Sequence, residues 1–294
     1  MKAPTPDGIE LYYEEEGQGF PLMFVHEFAG DHRSWAPQVR RFAGDYRCIT
    51  YAARGYPPSD VPTDAAAYSQ RRAVDDAIAV LDAANAKQAH VVGLSMGGFA
   101  ALHLVVAHPE RIRSAVIAGV GYGSQPEKAE KFRNESYALA AAFESLGSAR
   151  VAERYAVGPA RVQLQNKNPE AWREFAKALA QHDPTGAALT MRGVQAARPS
   201  LYDLQDELRA VRTPVLILAG DEDEGSLEPS LMLKRTIPTS GLVILPRTGH
   251  TANLEDPDAF NDAVGAFLTA VSSGDWHERD SRARTTSIMG IPQT

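Results

Sequence analysis

The stretch His90-Val91-Val92-Gly93-Leu94-Ser95-Met96-Gly97-Gly98 decides the fold. Val91 and Val92 sit in a short apolar run, as in a strand covered on both faces. Phe99 to Ala107 is an apolar helical run, closed by Pro109. Between them stands the pattern G-x-S-x-G, from Gly93 to Gly97. A strand-to-helix turn this tight leaves no room for side chains at Gly93 and Gly97, and it lifts the Ser95 hydroxyl above the end of the sheet. It also aims the N-terminus of the following helix at that hydroxyl, where free amides favour developing negative charge.

Outward from this turn, β-rich runs alternate with helical patterns. Ile9 to Tyr13 alternates and reads as an edge strand. Leu22 to Val25, Cys48 to Tyr51, Ala115 to Ala118, Pro214 to Leu218 and Leu242 to Leu245 are further apolar runs. Helical patterns cover about 69–84, with Val74, Ile78 and Leu81 on one face, and about 258–271. This alternation predicts an α/β fold with a mostly parallel sheet covered by helices on both faces. The rhythm breaks from Gly123 to Ala210, where helix-prone stretches replace strands. The expected division is therefore a core of residues 1–122 and 211–271, a helical insertion at 123–210, and a polar tail at 272–294, extended or poorly ordered.

The chain has 294 residues, 44% of them hydrophobic, and a formal net charge of −7. An α/β domain of that length buries about three quarters of its unfolded surface, so it needs no disulfide or metal staple. Its single cysteine, Cys48, lies in a strand-like run and is expected to be a packing residue. The mild acidity argues against nucleic acid. No apolar run is long enough for a membrane span. No apolar segment follows Met1-Lys2-Ala3-Pro4-Thr5-Pro6, so no secretory signal is expected and the expected compartment is the cytoplasm.

A serine hydroxyl needs a base, and the base needs an orienting acid. In strand-turn-helix hydrolases the chain order is serine, acid, histidine. His250 follows the last strand in the Gly-containing loop Pro246-Arg247-Thr248-Gly249-His250, ahead of the final helix, and is the expected base. His90, His103, His108, His182 and His277 sit in strand, helix, insertion or tail and are expected on the surface or in packing. The preceding strand ends in Gly220-Asp221-Glu222-Asp223-Glu224, where four carboxylates compete. Asp223 is the favoured acid and Asp221 the second choice. The same acids do not make a calcium loop: Gly225 is one place early and no distal glutamate follows at loop spacing.

Taken together, Val25-His26, Arg54-Gly55, Gly93 to Gly98, Gly220 to Asp223 and Gly249-His250 resemble the α/β-hydrolase superfamily, in its single-cap, esterase and lactonase-like branch, over about residues 8–270. The resemblance implies a catalytic triad of Ser95, His250 and Asp223, the last standing three residues after Gly220. It implies an oxyanion hole built from the amides of Met96 and Phe28, and a helical cap at about 123–210. Phe28, Tyr122, Phe143 and Trp172 are the expected substrate-binding residues, while Phe132, Tyr137 and Phe175 are further cap aromatics. One position departs from the family: Glu27 stands after His26 where glycine is usual. It is expected to point to solvent without effect, and His26 to hold its loop by hydrogen bonds.

The loop Gly119-Val120-Gly121-Tyr122-Gly123 is no dinucleotide fingerprint, because Ser124 occupies the third glycine position. No H-E-x-x-H and no cysteine pair is present, so neither a metal nor a cofactor is expected. The expected partner is a small-molecule ester or lactone, cleaved by acyl transfer to water. Serine rather than aspartate as nucleophile disfavours epoxide and haloalkane hydrolysis. Two alternatives stay open: carbon–carbon bond hydrolysis of ring-cleavage products, and a non-hydrolytic role as perhydrolase, oxygenase or small-molecule receptor.

Overall fold

The computed structural model describes residues 1–284. The strands are β1 (Lys2–Pro4), β2 (Glu10–Glu16), β3 (Phe20–Val25), β4 (Tyr46–Tyr51), β5 (Ala89–Leu94), β6 (Ile112–Ala118), β7 (Val215–Gly220) and β8 (Ser240–Leu245). They form one eight-stranded sheet in the order β1-β2-β4-β3-β5-β6-β7-β8. All pairings from β4 through β8 are parallel, and the two that involve β2 are antiparallel. β2 is not the edge strand its alternation suggests. Ala3 pairs with Leu11, so the N-terminus adds β1 outside it. A three-residue strand is too short to show a period, and only the burial of Ala3 betrays it.

The central strands bury every residue along β5 and β7, as a sheet covered on both faces requires. The pleat sorts their side chains. Met23, Val25, Val91, Ile117 and Ile217 face one apolar cluster, with Val74, Leu81 and Phe99. Leu22, Phe24, Val92, Val116 and Leu216 face the other, with Trp35, Phe42, Phe260 and Phe267. The helices behind the first cluster include α1 (Gln70–Ala83), started by the Ser69 hydroxyl accepting from Arg72 N–H, and α2 (Met96–Ala107). α2 begins three residues before the expected Phe99. Gly97 and Gly98 read as helix breakers, but here they admit close backbone approach inside the first turn.

The segment between β6 and β7 is helical. α3 (Pro126–Tyr155) breaks at Gly147, which has a φ of 76°, and is followed by α4 (Val162–Lys167), α5 (Pro169–Ala180) and α6 (Pro184–Thr190). Phe143, Leu164, Phe175, Leu179 and Met191 from this segment share a third apolar cluster with Phe28, Tyr56 and Met96 of the sheet domain. The helical layer is thus packed onto the C-terminal end of the sheet, over the loop that follows β3 and the turn that follows β5.

α7 (Pro257–Ser273) is the last α-helix among the described residues, and Gly274 ends it in the left-handed conformation. The start of the polar tail is built rather than loose. Trp276 stacks edge-on against Phe267 at 4.6 Å and donates its indole N–H to Thr239 O at 2.7 Å. Residues 285–294, the rest of the expected tail, lie outside the described residues. Among the described residues, no helix is long and apolar enough to cross a membrane.

Candidate active site

Ser95 directly follows β5 with φ 53° and ψ −114°, the strained backbone expected of its turn. Its amide is held by Ala118 O at 2.8 Å. The glycines around it are sterically required. A Cβ at Gly93 would lie 2.2 Å from Gly97 O, and one at Gly97 would lie 2.0 Å from Val25 O. The turn therefore rests directly on the backbone of β3, and Ser95 is left half-buried at the sheet's C-terminal end.

His250 and Asp223 arrive there from the loops after β8 and β7. His250 Nδ1 lies 2.9 Å from Asp223 Oδ2, and both side chains are buried. Asp221 is exposed and accepts the Thr248 amide instead, so of the two acids it is Asp223 whose carboxylate meets the imidazole. The Asp223 carboxylate is fully engaged: Ser226 Oγ donates to Oδ2 at 2.7 Å and the Tyr122 hydroxyl to Oδ1 at 2.8 Å. Burial alone would raise its pKa. The His250 charge and the three hydrogen bonds outweigh burial and hold it below the usual carboxylate range. For His250, burial lowers the pKa, but the charge and hydrogen bond of Asp223 outweigh it and the net shift is upward. With Nδ1–H given to the carboxylate, Nε2 keeps a lone pair.

The imidazole stands beside Gly119: a Cβ there would meet His250 Cε1 and Nδ1 at 3.5 Å. Gly119 directly follows the carbonyl that holds the Ser95 amide, so the imidazole and the Ser95 turn share one corner of the sheet. Among the described residues no hydrogen bond joins the Ser95 hydroxyl to His250. Such bonds are often long in unliganded sites and tighten with substrate.

Sequence reasoning missed Glu255, which shapes the histidine loop. Its carboxylate accepts from the Gly249 amide, and from the Thr251 amide and hydroxyl at 2.8 and 2.9 Å. The only local signal was an acid ahead of Pro257, which reads equally well as helix capping.

Met96 opens α2, so its amide is one of the helix's unpaired N–H groups. Phe28 lies in the loop after β3, and no acceptor receives its amide among the described residues. His26 fixes that loop. Its Nε2 accepts from Ala53 N–H at 3.0 Å and its Nδ1–H donates to Glu27 O at 2.7 Å. Glu27 C=O and Phe28 N–H belong to one rigid trans peptide, so tethering the carbonyl orients the amide. Burial lowers the His26 pKa, which favours the neutral ring this bonding needs.

Glu27 corrects an expectation. It does not point to solvent: it is 3% exposed and pairs with the guanidinium of Arg161, from the segment just before α4. The apolar helical layer above excludes water from this position, and only a cation from the same layer makes the buried carboxylate tolerable.

The aromatic residues divide. Phe28 meets Phe143 and Tyr155 edge-on at 5.9 and 6.3 Å, joining the loop to the helical layer. The Tyr122 ring packs on His250 at 5.2 Å, with its hydroxyl spent on Asp223. The Trp172 indole donates to Ala156 O at 2.6 Å, which ties α5 to the end of α3. Of the other histidines, His90 bonds Ser114 within the sheet at 2.7 Å, and His182 packs on Tyr56.

The comparisons agree with this architecture. The family profile described as alpha/beta hydrolase fold matches residues 21–257. A putative carbamate hydrolase of Pseudomonas syringae is 30% identical over 254 residues, covering 84% of this chain and 93% of that protein. 3-Oxoadipate enol-lactonase 1 of Acinetobacter baylyi is 26% identical, covering 85% of this chain and 89% of its own. The solved malate-bound esterase of Thermogutta terrifontis superposes with a TM-score of 0.81 at 26% identity, covering 92% of this chain and 98% of the other. Since the match runs from β3 into the start of the last helix, and the sheet order and serine turn agree with it, the chain belongs to the α/β-hydrolase fold family.

Proposed function

We propose that this chain is a serine hydrolase that cleaves carboxylic ester or lactone bonds of small to medium, largely apolar substrates through an acyl-enzyme. His250 Nε2 takes the Ser95 proton as Oγ attacks the carbonyl carbon. Asp223 holds the imidazole and stabilises its positive charge. The Met96 and Phe28 amides receive the oxyanion of the tetrahedral intermediate. Loss of one such donor costs about 3 kcal/mol of barrier. The protonated imidazole then gives its proton to the leaving alkoxide as the C–O bond breaks. Water, deprotonated by the same ring, releases the acid and restores Ser95.

One observation carries this reading: the buried His250–Asp223 pair, 2.9 Å apart, at the same sheet corner as the strained Ser95. The buried apolar cluster of Phe28, Phe143 and Phe175, packed around the proposed oxyanion loop, supports a largely apolar substrate. The enol-lactonase and esterase among the relatives support the lactone and ester classes.

The test combines labelling with turnover. A fluorophosphonate probe is expected to label the native chain and not Ser95→Ala. Release of nitrophenol from short acyl esters is expected to fall about 10⁴-fold or more in that variant. Normal turnover by folded Ser95→Ala overturns the assignment. Labelling without turnover across a panel of esters and lactones overturns the hydrolase activity.

A further inference from the structure

Arg161 carries more capacity than its visible partners use. The side chain is about 1% exposed, held between the rings of Phe175 at 4.7 Å and Tyr155 at 5.3 Å. A guanidinium has five N–H donors. Nη2 serves Glu27 at 2.5 Å and the Tyr155 hydroxyl at 3.4 Å, while Nε and Nη1 are buried with no partner. Three charged donors are thus withheld from water and from protein.

A pair built only to fasten the helical layer to the sheet domain would satisfy those donors, because a buried ion pair stabilises only when its remaining protons are bonded. The position also matters. Glu27 immediately precedes Phe28, and the Arg161 charge is felt at His250 and Tyr122. Through Glu27, and through Tyr155 whose ring meets Phe28, the guanidinium stands one residue removed from the proposed oxyanion amide. Its two aromatic neighbours keep it oriented, so little freedom is lost on binding. In so dry a place the unbonded N–H groups of Nε and Nη1 favour an anionic acceptor, even with Glu27 on Nη2.

We propose that Arg161 is a recognition site for a carboxylate on the substrate, so that the preferred ester or lactone has an apolar body and one anionic end. This rests on the hydrolase reading above and narrows its substrate class. Glu27 tempers the site: it compensates the guanidinium when no anion is bound and competes with the anion for it.

The test uses mono-4-nitrophenyl esters of succinate, glutarate and adipate beside 4-nitrophenyl butyrate and hexanoate. Native enzyme is expected to favour at least one carboxylated ester by about tenfold or more in kcat/KM over its neutral counterpart. Arg161→Met should abolish that ratio, Arg161→Lys should keep part of it, and Glu27→Gln should raise it. A purely structural pair would give parallel losses in Arg161→Met and Glu27→Gln, with the ratio unmoved, and that result overturns the proposal. So does a native enzyme with no preference for the charged esters. If Arg161→Met does not fold, Arg161→Lys and Glu27→Gln still decide through the opposite directions of their ratios. Calorimetric titration of glutarate into folded Ser95→Ala separates this idea from the hydrolase reading. Binding that weakens in Ser95→Ala/Arg161→Lys supports the site even if no ester is cleaved. Ester cleavage without charge preference or glutarate binding removes the site and leaves the hydrolase standing.

Discussion

The Tyr122 hydroxyl lies 2.8 Å from Oδ1 of Asp223, on the opposite carboxylate oxygen from the one His250 holds. The tyrosine comes from the glycine-rich loop after β6, and it withdraws charge from the acid that raises the His250 pKa. On the proposed mechanism, this tyrosine and Asp223 together set the pH at which the base becomes active.

The pH profile follows with a definite sign. His250 must be neutral to accept a proton, and its pKa lies above the ordinary 6.5, so the acid limb of kcat/KM is expected above that value. Asp223→Asn removes the charge that raises it and leaves burial, which lowers it. The limb should move down while turnover falls about 10³-fold or more. Tyr122→Phe returns charge to the carboxylate, so the limb should move up, with about a tenfold loss of kcat/KM. A pH–rate series on the three proteins checks both directions.

His26 acts at one remove, through the Glu27 carbonyl that shares a peptide with the Phe28 amide. His26→Gln should loosen that amide and lower kcat by about ten- to a hundredfold, with a smaller change in KM. A KM effect alone would mean the loop merely shapes the binding site. Steady-state kinetics, with a thermal melt to confirm folding, separates the two outcomes.

Gly97→Ala should destabilise the fold by about 3 kcal/mol or more, because its Cβ would fall 2.0 Å from the Val25 carbonyl and β3 cannot retreat. Gly44→Ala is the matched control. Nothing lies within 4 Å of a Cβ there, so its effect should be neutral or slightly stabilising. Denaturant midpoints for the two variants measure the contrast.

Trp276→Ala should cost about 2–3 kcal/mol, through the lost ring contact with Phe267 and the lost bond to Thr239. Trp276 sits at the β8 edge, away from Ser95, so ester turnover should persist below the lowered Tm. Calorimetry and an activity assay on one preparation check both.

Local rules made much of the molecule readable. Continuous apolar runs marked β3 to β8, and the G-x-S-x-G turn marked Ser95, because each depends on sterics within a few residues. Chain order pointed to His250 in the loop after β8 and narrowed the acid to the four carboxylates after β7, with Asp223 favoured. β1 escaped because three residues show no period, and α2 began early because a glycine disfavoured in helices is required by a neighbouring strand.

What the sequence determined by itself was the sheet from β2 to β8, the serine turn and the residue types expected as base and acid, all consequences of near neighbours along the chain. Only the tertiary structure decided which carboxylate turns inward, that Tyr122 and Ser226 complete its hydrogen bonds, and that Glu27 is buried against Arg161 rather than solvated. Those partners lie between 3 and 134 residues apart. Burial is set by what packs above a residue, and a glutamate has no means of announcing, from its own position in the chain, that an arginine will cover it.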